Sequence, residues 1–342
     1  MKQQYPDVVL KGRDLFDASL FRDATSASVF YTFIAKLKQS VDSVDPSPTH
    51  HFIKALDLKG KLLRSYTQNI DGLEERVGLV GSSNSGKGKG KMKAKDIRNV
   101  QLHGDIRQVR CTLCSADFPF NEEFTSLFLQ GIAPECPECA GRCEFLYQIP
   151  FILLCLTRML APSAEARVAR SARAIRVGSL RPAIVLYDEP HPLGDDIGSI
   201  QTADLSRKPD LLIIMGTSLK VHGLKKLVKE FSKAVHASAP TPKDDAATLE
   251  SKRSRKSTNV SMKGKVIFVN KTAPSSEWDS VIDYFVEGDT DSWTTRVLED
   301  WKKMRPADWE VQTTLTESNV FKAEKANTLV KSMKSRYSFS SS

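Results

Sequence analysis

Continuous apolar runs, rather than alternating ones, mark the strands of this chain. Ala183–Tyr187 ("AIVLY"), Asp210–Gly216 ("DLLIIMG") and Lys265–Asn270 ("KVIFVN") are short and rich in β-branched residues, and Leu62–Tyr66 ("LLRSY") reads as a further buried strand. Strands covered on both faces have this pattern, which predicts a parallel sheet with helices on each side. Helical spacing fills the gaps. "DIGSIQTADLS" follows the 183–187 run, and in Leu224–Val235 the apolar residues fall at 224, 227, 228, 231 and 235. That spacing is one apolar stripe on a helix. Strand alternating with helix gives a doubly wound parallel α/β fold, Rossmann-like in character.

Such folds bind ligands at the carboxyl ends of their strands. Here those ends are polar. "DLLIIMG" ends in Gly216-Thr217-Ser218, "KVIFVN" in Asn270, and "LLRSY" in Thr67-Gln68-Asn69-Ile70-Asp71. "AIVLY" ends in Asp188-Glu189, and "NVQLHGD" (Asn99–Asp105) places His103 beside Gly104. Locally, Asn69 or Asp71 needs no role beyond capping the helix that follows, and Gly72 already meets the turn's backbone need. Five polar strand ends together argue for a site.

Composition adds a core and a charge. The chain has 342 residues and 40% apolar content, enough for one large domain with an insertion. Its longest apolar run, Ile149–Thr157, is shorter than the roughly 20 residues of a spanning helix, so no membrane is expected. The start is too polar for a secretory signal. The net charge of +9 gathers in two runs, Gly81–Lys95 with five lysines and Glu250–Ser257. Both read as solvated flexible loops. The compact cluster of Lys252, Arg253, Arg255 and Lys256 suggests nuclear import. "GKGKGK" is no phosphate-binding turn, because no strand precedes it and no apolar helix follows it. Four of the six cysteines form two C-x-x-C pairs, Cys111/Cys114 and Cys136/Cys139, separated by 21 residues. Without a secretory signal this spacing favours metal over disulfides. Four thiolates close a tetrahedron around one Zn2+ and leave no open position, so the zinc is expected to be structural. Cys143 and Cys155 read as bystanders.

"TQNID", "QLHGD", the paired C-x-x-C, "VLYDE", "GTSL" and "VN", in this order from about Tyr5 to Trp301, resemble the sirtuin family of NAD-dependent protein lysine deacylases. "YPDVVLKGRDLFD", the basic insert after "TQNIDGLEE" and Tyr187 resemble its fungal nuclear branch, associated with deacetylation of the core of histone H3. The resemblance implies attack by an acetyl-lysine carbonyl on the nicotinamide ribose, loss of nicotinamide, and release of lysine and O-acetyl-ADP-ribose. It makes His103 the catalytic base that deprotonates a ribose hydroxyl. It places Gln68 and Asn69 on the nicotinamide ribose and Asp71 on the carboxamide. It places Gly216, Thr217 and Ser218 on the phosphate and ribose side of NAD, Asn270 on the adenosine ribose, and Asp289 and Thr290 near adenine. Tyr187, Asp188 and Glu189 would pair by backbone with the substrate peptide, and the partners implied are an acetylated histone or other acetyl-lysine protein and chromatin. The other five histidines have no comparable surroundings.

Two departures accompany the match. Sirtuins open with a "GAGIS"-type turn and a "PDFR"-like segment; this chain begins after both, so the sheet is expected to lack its first strand and to bind NAD weakly. Glu144–Pro162 matches nothing in the family pattern. Both are expected to reflect an imperfect gene model, with a late start and an unspliced in-frame segment. The resulting plan is an NAD-binding domain with a small helical module over 1–107 and 178–310, and a zinc module over 108–177 with its insert at 144–162. Basic loops occupy 81–96 and 237–264, and a polar tail 311–342. One rival keeps this fold as a truncated, catalytically impaired scaffold on chromatin. A zinc-ribbon nucleic-acid binder explains less: Gly81–Lys95 has no aromatic residue to stack on bases, so direct nucleic-acid binding is expected to be weak at most.

Overall fold

Asp23 accepts a hydrogen bond from Ser26 N at 2.8 Å and so opens the first helix, α1 (Ala24–Asp42). The structure, a computed structural model, describes residues 12–82, 94–144, 177–238 and 265–309. The tail, nearly all of the insert and most of both basic loops, with the import cluster, lie outside the described residues. After α1 come α2 (Pro48–Leu58), β1 (Ser65–Thr67), α3 (Leu73–Arg76), β2 (Asn99–Gln101) and β3 (Gly104–Cys111). Then follow β4 (Asp117–Pro119), α4 (Glu122–Leu129), α5 (Pro137–Glu144), β5 (Leu180–Ile184) and α6 (Gly194–Ser206). The chain continues through β6 (Leu211–Met215), α7 (His222–Ala237), β7 (Lys265–Asn270), β8 (Tyr284–Glu287) and α8 (Thr290–Met304).

The parallel strands form two sheets. β1 pairs with β2, and β6, β7 and β8 pair in that order. No described strand joins β1 to β6, yet one core spans both sheets. Leu224, Leu227, Val228, Phe231 and Val235 of α7 pack on Ile214, Val266 and Phe268, with Tyr66 of β1 and Leu102 against the same cluster. The expected stripe on α7 is therefore the buried face.

The third sheet corrects one expectation. The apolar run at 183–187 was expected to lie in the parallel sheet; the strand is instead Leu180–Ile184, antiparallel to β3 in the order β4-β3-β5. A continuous apolar run reports burial and carries no strand direction. This sheet shares its core with α1: Phe30, Tyr31 and Ile34 pack with Val109, Phe128, Leu180, Cys136 and Cys139. Pattern reading did not find the short strands β4 and β8. Among the described residues no helix is long and apolar enough to cross a membrane. Residues 296–309 belong to a second unit, in which Trp301 Nε1 donates to Asp308 Oδ2 at 2.8 Å and the Trp301 and Trp309 rings meet edge to face.

Candidate active site

Because β1 and β2 are parallel, with Thr67 opposite Gln101, their carboxyl ends deliver Gln68 and His103 to the same edge. His103 Nδ1 lies 3.0 Å from the Gln68 main-chain oxygen. A carbonyl oxygen only accepts, so Nδ1 carries the proton and the neutral ring keeps its lone pair on Nε2, where a base needs it. The Gln68 side chain reaches the other way: Thr217 Oγ1 donates to its Oε1 at 2.8 Å. One residue thus joins the ends of β1, β2 and β6. Gly104 makes the turn possible. Its φ is +83°, and a Cβ there would overlap the Ala183 carbonyl oxygen of β5.

Asn69 is exposed, its main-chain N–H donating to Thr67 Oγ1 at 3.1 Å. Asp71 Oδ1 accepts from Leu73 N at 3.1 Å, so the capping role is real at Asp71. Gly72, at φ +70°, is fixed for a second reason, because a Cβ would overlap the Arg107 guanidinium. Arg107 lies between Asp105 (2.7 Å) and Glu75 (3.0 Å), and Glu75 also accepts from Asn99 Nδ2 at 3.0 Å. Burial raises the Glu75 carboxyl above its ordinary range despite Asn99 and Arg107. Sequence reasoning missed this polar floor; two adjacent acids after "NIDGL" were its only signal.

At the β6 end, Gly216 has φ +60° and is exposed; an added Cβ would meet only Thr290 Cγ2, at 3.9 Å. This open main chain suits a phosphate-bearing ligand, with Thr217 half-buried and Ser218 exposed beside it. Gly288 N donates to Asn270 O at 3.0 Å, which brings the ends of β7 and β8 together. The Asn270 side chain bonds Thr272 O (3.0 Å), and Asp289 caps α8 by accepting from Ser292 N at 3.0 Å. Thr290 therefore borders the Gly216 turn, while Asn270 and Asp289 make local bonds at the neighbouring strand ends.

The substrate strand differs from expectation. Tyr187 N donates to Phe16 O at 2.8 Å and Tyr187 O accepts from Ala18 N at 3.3 Å, so its backbone is already paired within the chain. Glu189 is held by Arg181 through both carboxylate oxygens, and this hydrogen bond lowers its pKa. Asp188, exposed and at φ +64°, stands clear of these contacts.

The four cysteines meet. Their sulfurs all lie within 4.8 Å of one another, with Cys111–Cys139 at 3.8 Å and Cys114–Cys136 at 3.7 Å. Zn–S bonds of about 2.3 Å place tetrahedral corners about 3.8 Å apart, so the set fits zinc; a disulfide needs about 2.05 Å. Leu113 N and Cys114 N point at Cys111 Sγ (3.3 and 3.4 Å), and despite burial these N–H groups bring its thiol to about 7. Burial and the neighbouring thiols push Cys136 up to about 12. Gly178 lets the chain pass, since a Cβ would meet Cys111 Sγ at 2.5 Å.

The sequence profile of the Sir2 family matches residues 3–223. The chain belongs to the Sir2 family. It is 39% identical to the NAD-dependent histone deacetylase HST3 of Candida albicans, over 85% of this chain and 52% of that protein. It is 32% identical to the NAD-dependent protein deacetylase hst4 of Schizosaccharomyces pombe, over 81% and 54%. This Sir2-family chain thus spans about half the length of the curated relatives it matches. A solved Sir2 homolog–NAD complex shares its fold at TM-score 0.54 and 18% identity, covering 86% of this chain and 78% of that one.

Proposed function

We propose that this chain is an NAD-dependent protein lysine deacetylase acting on acetylated histones, on chromatin in the nucleus. The supporting observation is the junction at Gln68, which ties the candidate base His103 to Thr217 across two sheets. NAD, when bound, would supply the ribose carbon that bonds the acetyl oxygen as nicotinamide leaves, and the ribose hydroxyl that ends with the acetyl group. His103 then takes a ribose hydroxyl proton at Nε2, while the Gln68 carbonyl on Nδ1–H steadies the imidazolium that results. Asn69 holds ribose hydroxyls and Asp71 the carboxamide. Gly216, Thr217 and Ser218 hold the phosphate side, with Asn270, Asp289 and Thr290 around the adenosine. Asp188 offers main chain to the acetylated peptide. Cys111, Cys114, Cys136 and Cys139 hold one zinc ion, which supports the fold and takes no part in the reaction. The name of the Candida albicans relative supports histones as the substrate class.

The test uses the full chain with NAD and an acetylated histone H3 peptide, reading nicotinamide release. Activity in the wild type and its loss, by at least ~100-fold, in His103→Ala is the expected result. A wild-type chain that releases no nicotinamide, or a variant with full activity, overturns the reading.

A further inference from the structure

Beside the turn that presents His103 lies a partly open cavity of about 30 Å³, lined by Gln101, Gly104, Asp105, Val185 and His191 among others. It has room for roughly one or two water molecules. No side chain fills it, so packing does not hold the turn from this side. Two lining atoms are polar and buried without a formed hydrogen bond: Gln101 Oε1 and His191 Nε2. Such atoms mark a place where a polar contact or a bound water takes over from packing.

The proton on His191 can be assigned. Leu193 N donates to His191 Nδ1 at 2.9 Å, so Nδ1 carries the lone pair and the neutral ring carries its hydrogen on Nε2. Burial holds this imidazole below its ordinary pKa, and the charge of Arg110 presses the same way, while the main chain of Gln101 opposes them. At neutral pH the ring is thus an uncharged donor facing Gln101.

We propose that His191 is a positioning residue for the candidate base: its Nε2–H, buried on a cavity that Gln101 and Gly104 also line, fixes the Gln101–Gly104 turn and so the place of His103. This rests on the reading of His103 as the base. The chain makes the link reciprocal. Val185 N donates to His103 O at 2.9 Å, and six residues later His191 lines the same cavity as Gln101. The segment between these two points carries Asp188, so the peptide-facing loop meets the strand of the base at both of its ends.

Two variants separate positioning from folding. Asn at 191 can still accept from Leu193 N but is too short to reach Gln101; Gln restores a donor near the position of Nε2. Hydrogen exchange on the full zinc-loaded chain reads the amides of Val185 and Leu102, whose acceptors are His103 O and Thr67 O. His191→Asn is expected to lower protection at both amides, and kcat for nicotinamide release, by about tenfold. KM for NAD and peptide should stay near wild type, and His191→Gln should restore most of each loss. Wild-type protection at both amides in His191→Asn overturns the proposal, as does an equal loss across α7, which would signal general unfolding. If the wild type releases no nicotinamide, the deacetylase reading fails while exchange still decides this one.

Discussion

Removing Asp204 should unfold this protein more effectively than any surface change. Its carboxylate meets Arg64 in two parallel hydrogen bonds, from Nε at 2.7 Å and Nη2 at 2.8 Å, and accepts a third from Tyr66 Oη at 2.7 Å. The Arg64 and Asp204 side chains are 4% and 1% exposed. Arg64 also donates to the main-chain oxygens of Ala94 and Ile97, so one guanidinium ties the chain entering β1 to α6 and to the approach to β2. Burial, then the bond to Asp204, push the Tyr66 phenol well above its ordinary range, so its hydroxyl stays protonated and donating. Asp204→Ala leaves a buried guanidinium without its counter-charge, a loss of about 3–5 kcal/mol. Tyr66→Phe removes one bond and leaves the ion pair, a loss of about 1.5 kcal/mol. Replacing the whole group (Arg64→Met, Asp204→Leu, Tyr66→Phe) should recover at least half of the Asp204→Ala loss, because much of that loss is the stranded charge. Urea unfolding with excess zinc, followed by tryptophan fluorescence, measures all three. An Asp204→Ala loss below about 1 kcal/mol, the range of exposed pairs, would refute the reasoning.

Three further outcomes follow from the same structure. Gly104→Ala should lower both stability and nicotinamide release, since neither φ nor the Ala183 carbonyl accommodates a Cβ; an unchanged thermal midpoint and rate would contradict this. Zinc chelation should loosen the core shared by Cys136, Cys139 and α1, seen as lost helical circular dichroism alongside one released zinc per chain; full ellipticity after removal would count against a structural metal. At Asp291 burial alone would raise the carboxyl, but hydrogen bonds from Thr49 and Ser47 outweigh it and lower its pKa. Its stabilising contribution is therefore present above roughly pH 4, the unfolded value, and lost as pH falls through the lower folded one. Thermal midpoints of wild type and Asp291→Asn should converge below that pH, and a constant gap down to pH 3 would be inconsistent.

The elements legible in the sequence were those whose signal is local. The stripe at 224, 227, 228, 231 and 235 became α7, and "LLIIM" and "KVIFVN" became adjacent parallel strands, the second buried through its interior. The cysteine spacing led to a tetrahedral cluster because each C-x-x-C turn aims two sulfurs at one point. What failed was information held between elements. The direction of β5 depends on its register with β3, from Gly104 opposite Ile184 to Cys111 opposite Leu180, and nothing in "AIVLY" encodes that partner. Arg107, Glu75 and Asp105 form one buried group from residues that look like ordinary surface charges. His191 was set aside because its surroundings come from β2 and β3.

Gln68 shows how the two kinds of information meet. "TQNID" marked it as a ligand-facing amide, yet in the structure its two halves serve different neighbours. The main-chain oxygen, which any residue would supply, sets the tautomer of His103. The side-chain amide, which only Gln supplies at this reach, holds Thr217 at the end of β6. The base's tautomer is therefore a property of the β1–β2 register, insensitive to side-chain identity at 68. The distance between the base and the Gly216 turn is a property of that side chain. β1 and β6 share no hydrogen bonds as strands, so this amide adds a polar tie between the two halves of the candidate site to the apolar packing of Tyr66 and Leu102 on the α7 cluster. The core thus brings the two sheets together, and the polar residues at these strand ends set the finer alignment before any ligand arrives.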